Sequence, residues 1–184
     1  RPFHICINER VETPWDLAGK KLRVFPAIAP IVDALHAVPV NMGMPEIYTA
    51  MERGVVDGFA MTTIGFVKAW HWQEVTNYII MPGWYRGSCA QLVNPDTWNK
   101  LPKEVQDKII DYKRNVIDPR VTKEYTLGFG EGQTQAVIDA GVEVIEFSPA
   151  DTEAYLKLAY DAAWAKKIEK APDIAPKLKD MLVR

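Results

Sequence analysis

The chain has 184 residues, of which 48% are hydrophobic and 25% are charged, a composition typical of a folded globular domain. Its 22 basic and 24 acidic side chains give a formal net charge of −2. Proteins that bind nucleic acid through its phosphates usually carry a basic excess, so nucleic acid is excluded as a partner. Charged residues interrupt every long apolar stretch, and no membrane-spanning helix is predicted.

Short β-type runs alternate with helical patterns along the chain. The predicted strands lie at residues 3–7, 22–25, 38–40, 55–59, 76–80, 88–93 and 142–147. Helix-starting Ser/Thr-Pro or Pro residues and helix-ending glycines lie between most of them, as after Thr13, at Pro45 and after Ser148. This alternation predicts an α/β fold with a largely buried sheet.

The longest helical pattern begins at Pro102 and is amphipathic. Its apolar positions recur at helical spacing and form one stripe: Val105, Ile109, Tyr112 and Val116. Pro119 is expected to kink or break this helix, because proline lacks the amide hydrogen and clashes with the preceding turn. A second helical stretch is predicted to follow and to end near Gly141.

Cysteine and histidine give a weak signal for chemistry. Cys6 and Cys89 allow one disulfide, two buried thiols or one reactive thiol, and no spacing matches a metal motif. His4 and Cys6 lie two residues apart on a predicted strand, where a structural role is expected. Cys89 lies in another predicted strand, which favours a buried, inert thiol over a nucleophile.

Four motifs in residues 13–102 carry a family resemblance. They read TPWDLAGKKLRV at 13–24, ALHAVPVNM at 34–42, EIYTAMERGVVDG at 46–58 and VNPDTWNKLP at 93–102. Their order and spacing resemble the extracytoplasmic solute-binding proteins of tripartite ATP-independent periplasmic (TRAP) transporters, the DctP-like family. The resemblance covers most of the chain and weakens after residue 120.

The resemblance implies a type II periplasmic binding protein fold, an α/β fold of two lobes joined by crossing strands and a long spanning helix. Family members carry a region before the strand that residues 3–7 resemble, so the chain is expected to be the C-terminal part of such a protein. Residues 1–86 and 124–184 would form the C-terminal lobe, with the carboxylate-binding surface. Residues 87–123 would contribute to the other lobe, which is mostly absent.

Arg23 is the first candidate for ligand binding. A guanidinium can pair with a carboxylate through two parallel hydrogen bonds, and Arg23 lies between apolar neighbours, where an unpartnered cation is costly. The resemblance places Arg23 where family members bind the substrate carboxylate. The alternative is an internal salt bridge.

The other candidate positions differ from their family counterparts. Phe3 stands where the sialic-acid-binding branch has a second arginine, Met44 where that branch has phenylalanine, and Met61 where many members have asparagine. Ala60 and Met61 offer no carboxylate where some relatives bind metal-chelated oxo acids, so neither a metal nor a cofactor is expected. The candidate substrate-binding set is completed by Phe25, Thr62, Trp84 and Tyr85, while core packing is the alternative for Trp70, Trp72, Trp84 and Tyr85.

The leading hypothesis is a periplasmic solute-binding protein that captures an organic carboxylate, specifically a monocarboxylate with an apolar or aromatic body. It would deliver this ligand to the membrane subunits of a TRAP transporter and would have no catalytic residues. The absent N-terminal part, as a separate fragment, is a further candidate partner. The alternatives are a ligand-sensing domain of the same fold in a receptor or regulator, and a small α/β enzyme using Cys89 with His71 or His4.

Overall fold

The computed structural model describes residues 2–86, 91–123 and 131–182. The strands within these ranges are β1 (Pro2–Ile7), β2 (Lys21–Val24), β3 (Val38–Asn41), β4 (Gly58–Thr62), β5 (Tyr78–Met81), β6 (Tyr85–Arg86) and β7 (Glu143–Glu146). The α-helices are α1 (Ala29–Ala34), α2 (Ile47–Glu52), α3 (Ile64–Ala69), α4 (Pro95–Asn99), α5 (Lys103–Tyr112), α6 (Asp118–Val121), α7 (Glu131–Ile138), α8 (Pro149–Lys170) and α9 (Ala175–Leu182). Short 3₁₀ turns lie at Pro14–Leu17, Met44–Glu46 and Trp72–Glu74.

The strands form one mixed sheet in the order β3-β2-β4-β1-β5-β7, and β6 pairs with the beginning of β1. Strand β2 is parallel to β3 and β4, and β5 is parallel to β7. Strand β1 is antiparallel to both β4 and β5, so it alone runs against the other five strands of this order. The predicted α/β fold is confirmed.

Buried apolar side chains pack on both faces of the sheet. Ile5 and Ile7 of β1 pack with residues of α1 and α8, among them the fully buried Tyr155. Cys6, between them, packs with residues of α2, α3 and α7 in a second cluster that includes Phe59. Successive strand residues point to opposite faces, which is why one strand supplies both clusters. Each large side chain that is fully buried contributes about 1.5–3 kcal/mol, so the two clusters hold the sheet firmly between helices.

Two of the predicted strands are wrong in part. Strand β4 begins at Gly58 rather than at residue 55, because the amides of Val55 and Val56 bond back to the carbonyl of Ala50 and close the end of α2. Residues 91–93 of the strand predicted at 88–93 have no regular structure, and residues 88–90 lie outside the described ranges. The remaining predicted strands agree with the observed ones to within two residues.

The long helix continues through Pro119, so a break there is wrong. A π-helical segment, Lys113–Ile117, joins α5 to α6, and Pro119 lies in the first turn of α6. Proline offers no amide hydrogen to the carbonyl four residues earlier, and a π segment shifts the hydrogen-bond register from i→i+4 to i→i+5. The shift accommodates the proline within the helix.

The apolar stripe of this helix faces outward. Val105, Ile109, Tyr112 and Val116 are 38%, 44%, 58% and 42% exposed. No residue from 91 to 123 is buried. The amphipathic pattern read from the sequence is therefore present, but within the described part of the chain its apolar side has no covering layer.

His4 and Cys6 are both buried in the sheet, as a structural role requires. The Nδ1–H of His4 donates to the carbonyl oxygen of Ile80 at 3.1 Å. Burial lowers the pKa of His4 and raises that of the Cys6 thiol. Among the described residues, no helix is long and apolar enough to cross a membrane.

We expect Gly58→Ala to lower the free energy of unfolding by about 2–3 kcal/mol, the upper part of the range for overpacking. A Cβ at Gly58 would lie 2.4 Å from the carbonyl oxygen of Cys6 and 2.9 Å from a methyl carbon of Leu22. The backbone of β1 cannot yield without losing its pairing with β4. Urea denaturation measures the loss.

The matched control is Gly54→Ala. Gly54 has φ +64° with nothing within 4 Å of the added carbon, so only the left-handed backbone is penalised. That penalty is about 1 kcal/mol. Equal losses in the two variants would contradict the steric explanation for Gly58.

We expect the stability of the protein to fall as the pH drops below about 6.5, with His4 as one cause. The unfolded chain protonates His4 at its usual pKa of 6.5, whereas the folded chain does so only at lower pH. Between these values the unfolded state holds more protons, and the free energy of unfolding therefore decreases with falling pH. His4→Asn should flatten this slope, while His36→Asn, at an exposed histidine, should retain it. Identical slopes in both variants would contradict the assignment.

Candidate functional site

The candidate residues lie along the side of the sheet where the parallel strands end. The parallel strands β2, β3, β4, β5 and β7 all end at this edge, which we call the site edge. Strand β1 runs in the opposite direction and begins there. In open α/β sheets, the carboxyl ends of parallel strands are where ligand crevices form.

All the residues predicted to bind substrate lie at or next to the site edge. Phe3 belongs to the start of β1, and Trp84 and Tyr85 lie at β6, which pairs with that start. The remainder lie at the end of β2, just after β2 and β3, and at the end of β4: Arg23, Phe25, Met44, Met61 and Thr62. The topology thus brings together residues that are up to 82 positions apart in the sequence.

Arg23 is a buried cation in an interior strand. It pairs with Val40 of β3 and Phe59 of β4, and the residue is 3% exposed. Its Nε and Nη2 donate to the carbonyl oxygen of Met42 at 2.9 and 2.6 Å. These two donors therefore share one backbone carbonyl as their acceptor.

Burial and charge act in opposite directions on Arg23. Removal from water lowers its pKa, and the carboxylate of Glu46 partly offsets this effect. Arginine remains charged because its ordinary pKa lies so far above neutrality. The site edge therefore carries a positive charge in surroundings of low polarity, where its attraction for an anion is stronger than in water.

Three aromatic rings form what we call the aromatic cluster: Phe3, Phe25 and Tyr85. Phe3 and Phe25 meet edge to face with centroids 6.2 Å apart. Phe3 and Tyr85 are paired across β1 and β6, with centroids 5.4 Å apart. All three side chains are half-buried, so the cluster presents ring surface at the site edge as well as packing against the core.

Trp84 and Met44 contribute more to the core than to an open surface. Trp84 is 9% exposed and packs in the cluster of Ile5 and Ile7. Its indole Nε1–H is buried with no acceptor among the described residues. Met44 is half-buried and packs against the other core cluster. The backbone of Met61 and Thr62 forms the end of β4.

Trp70 and Trp72 lie away from the site edge. Helix α3 follows β4 and returns to the opposite edge of the sheet, where β5 begins. Trp72 is buried against Phe59, and Trp70 stacks on it with centroids 5.8 Å apart. Of the four aromatic residues considered between 70 and 85, only Trp84 and Tyr85 belong to the site edge.

Among the described residues, neither His4 nor His71, the two bases considered for the alternative enzyme, has surroundings typical of a catalytic base. His4 uses its Nδ1–H on the carbonyl of Ile80, and His71 is exposed beside Glu74, 3.4 Å from it, near the opposite edge. Cys89 lies outside the described residues. Within the described ranges, no three His, Cys, Asp or Glu side chains gather as a metal site would require.

Two contributors were missed by sequence reasoning. The carbonyl of Met42 and the carboxylate of Glu46 both act on Arg23, yet neither was a candidate. Every residue has a backbone carbonyl, so the residue type does not show which carbonyl will accept a hydrogen bond from Arg23. The only available signal was position, since Met42 and Glu46 belong to the second and third motifs.

The family comparison agrees with this geometry. The family model described as bacterial extracellular solute-binding protein, family 7 (DctP) matches residues 4–170. The chain therefore belongs to this family of solute-binding proteins, and the predicted resemblance is confirmed.

Known relatives and structures extend the comparison. A monocarboxylate 2-oxoacid-binding periplasmic protein of Nostoc is 26% identical over 166 residues, which cover 84% of this chain and 42% of the relative. A TRAP periplasmic solute-binding protein of Desulfovibrio salexigens, solved with bound orotic acid, superposes with a TM-score of 0.81 at 23% identity over 98% of this chain and 58% of its own. A marine metagenome TRAP solute-binding protein specific for aromatic acid ligands, solved with metahydroxyphenylacetate, gives a TM-score of 0.70 at 23% identity over 94% and 55%.

The structural matches establish the predicted type II periplasmic binding fold. The chain spans about half the length of the relatives it matches.

Proposed function

We propose that the chain supplies one side of the ligand-binding cleft of a periplasmic solute-binding protein that serves a TRAP transporter. The ligand is an organic monocarboxylate with an apolar or aromatic body, and the membrane subunits of the transporter are the partner to which it is delivered. The single observation that carries this proposal is the buried guanidinium of Arg23 at the site edge.

Arg23 supports carboxylate binding through its fixed orientation. Two donors on one side of the guanidinium are held by the carbonyl of Met42, and this contact sets the plane of the group. A planar guanidinium held in place recognises the two oxygens of a carboxylate by direction as well as by charge. Family membership, shown by the match over residues 4–170, makes a small solute the natural anion.

The aromatic cluster supports an apolar or aromatic ligand body. Phe3 stands where another branch of the family carries a second arginine, and its ring contacts Phe25 and Tyr85. Aromatic rings make favourable edge-to-face or offset-stacked contacts with one another, so an aromatic ligand body would suit this cluster. One solved neighbour is specific for aromatic acids, while another was solved with bound galacturonate, so both ligand types occur on this fold.

We infer that residues 1–86 and 124–184 belong to one lobe and that residues 87–123 contribute to a second lobe. The outward apolar stripe of α5 supports this division, because an amphipathic helix normally buries its apolar face. Residues beyond this sequence, in the same polypeptide or as a separate fragment, would cover the stripe and face Arg23 across the cleft. The greater length of the matching relatives supports the same division.

Arg23→Lys tests the carboxylate site. In the complete two-lobed protein proposed above, which we call the extended protein, we expect this change to weaken 3-hydroxyphenylacetate binding by about 1.5–3 kcal/mol, the range for hydrogen bonds to charged groups. Lysine keeps the charge but loses the planar arrangement of donors. Titration calorimetry measures the affinity, with 3-hydroxyphenylacetamide as the ligand that lacks the carboxylate and D-galacturonate as the sugar acid.

Arg10→Lys is the matched control, because Arg10 is exposed just beyond the other end of β1 and pairs with Glu12. It should leave the affinity unchanged. Unaltered binding in Arg23→Lys, or equal affinity of the wild-type protein for the acid and its amide, would contradict the proposed site.

The division into lobes predicts that the 184-residue chain alone binds poorly. A small ligand in a pocket loses about 70–90% of its surface to the protein, and one side of a cleft cannot provide this burial. We expect the isolated chain to bind 3-hydroxyphenylacetate at least ~100-fold more weakly than the extended protein, as measured by calorimetry. Equal, micromolar affinity in the two forms would show that the site is complete without a second lobe.

A further inference from the structure

We propose that Glu46 is a positioning residue for Arg23: its carboxylate fixes the loop of residues 42–46, and this loop holds the carbonyl on which the guanidinium rests. The inference rests on the proposed carboxylate-binding role of Arg23 and assigns a second residue to the same site. Glu46 is exposed and is not expected to contact the ligand.

A short series of contacts joins the two side chains. Oε2 of Glu46 accepts the amide hydrogen of Gly43 at 2.6 Å. The residue before Gly43 is Met42, whose carbonyl oxygen accepts hydrogen bonds from both Nε and Nη2 of Arg23. Because Met42 and Gly43 share one peptide unit, a hydrogen bond to the amide of Gly43 also orients the carbonyl of Met42. Glu46 therefore sets the direction in which the Arg23 acceptor points.

The absence of a side chain at Gly43 makes room for this contact. A Cβ at Gly43 would lie 2.9 Å from Oε2 of Glu46 and 3.5 Å from Cδ of Pro45. The backbone of Gly43 has φ −65°, which any residue adopts, so a side chain here would be opposed by the Glu46 carboxylate and not by backbone conformation. Any larger residue would push the carboxylate away from the amide.

The hydrogen bond of Glu46 is expected to favour ligand binding, whereas its negative charge is expected to oppose it. A negative charge near Arg23 stabilises the buried cation but competes with an incoming carboxylate. If Glu46 acts by orienting the loop, its hydrogen bond increases the affinity for the ligand and its charge does not. Glutamine, whose side-chain carbonyl accepts the same amide hydrogen, separates the two contributions.

The test compares Glu46→Ala with Glu46→Gln in the extended protein, using 3-hydroxyphenylacetate as the probe and calorimetry as the measurement. We expect Glu46→Ala to weaken binding ~10-fold, since the guanidinium loses its fixed plane. Glu46→Gln should stay within about twofold of the wild-type affinity or bind more tightly, because the hydrogen bond is retained and the competing charge is removed. Gly43→Ala should reproduce the loss seen in Glu46→Ala by displacing the carboxylate.

Asp16→Ala is the matched control. Asp16 accepts the amide hydrogens of Glu12 and Thr13 at 3.0 and 2.8 Å, and so fixes a 3₁₀ turn in the same way, but at the amino end of β2. Its removal should leave the affinity unchanged. Thermal unfolding of each variant shows whether it is folded at the temperature of the titration.

A double-mutant cycle with Arg23→Lys shows whether Glu46 acts through the guanidinium. In the Arg23→Lys background, Glu46→Ala should cost less than about threefold, because lysine has no planar group to orient. Full additivity, an unchanged affinity in Glu46→Ala, or a loss in Glu46→Gln equal to that in Glu46→Ala would each overturn the positioning role. Unchanged binding in Arg23→Lys itself would overturn the proposed function, so the two failures are distinct.

Discussion

The arrangement of the site depends on the need to satisfy a guanidinium that is removed from water. An arginine in an interior strand is stable only if its donors are hydrogen-bonded, and the carbonyl of Met42 accepts two of them. Met42 lies directly after β3, and the amide of the next residue, Gly43, donates a hydrogen bond to the carboxylate of Glu46. The carbonyl of Met42 and the carboxylate of Glu46 both stabilise the buried cation.

The fold could be predicted well from the sequence because the strand and helix periodicities indicate the same α/β fold as the four family motifs. Alternating strand and helix patterns define the sheet, and residues 13–102 identify the family. The start of β4 was misplaced because Val55 and Val56 are β-branched, although their amides close α2. Residue preference cannot show which carbonyl an amide will reach. The same limit hid the continuation of the helix through Pro119, since a π segment depends on hydrogen-bond register rather than on residue type.

The candidate site could be predicted only as a set of side chains. Arg23, Phe3 and Phe25 were found because charge, ring and position are visible in the sequence, and the topology places them at one edge. Their ligand-binding roles remain predictions. Trp72 could not be separated from Trp84 by sequence, because both are aromatic and lie near the same strand. The structure separates them, since α3 carries Trp72 to the opposite edge of the sheet.

The pairing of β6 with the start of β1 has a consequence for the proposed two-lobed protein. Pro2 lies opposite Arg86 and Phe3 opposite Tyr85, so the beginning of β1 and strand β6 lie side by side at the site edge. These two hydrogen-bonded segments form a short two-stranded ribbon at that edge. The aromatic cluster includes Phe3 and Tyr85 of this ribbon. In the proposed two-lobed protein, a ligand that contacts their rings would therefore also contact a strand pair from which the chain continues toward residues 87–123, the segment proposed for the second lobe.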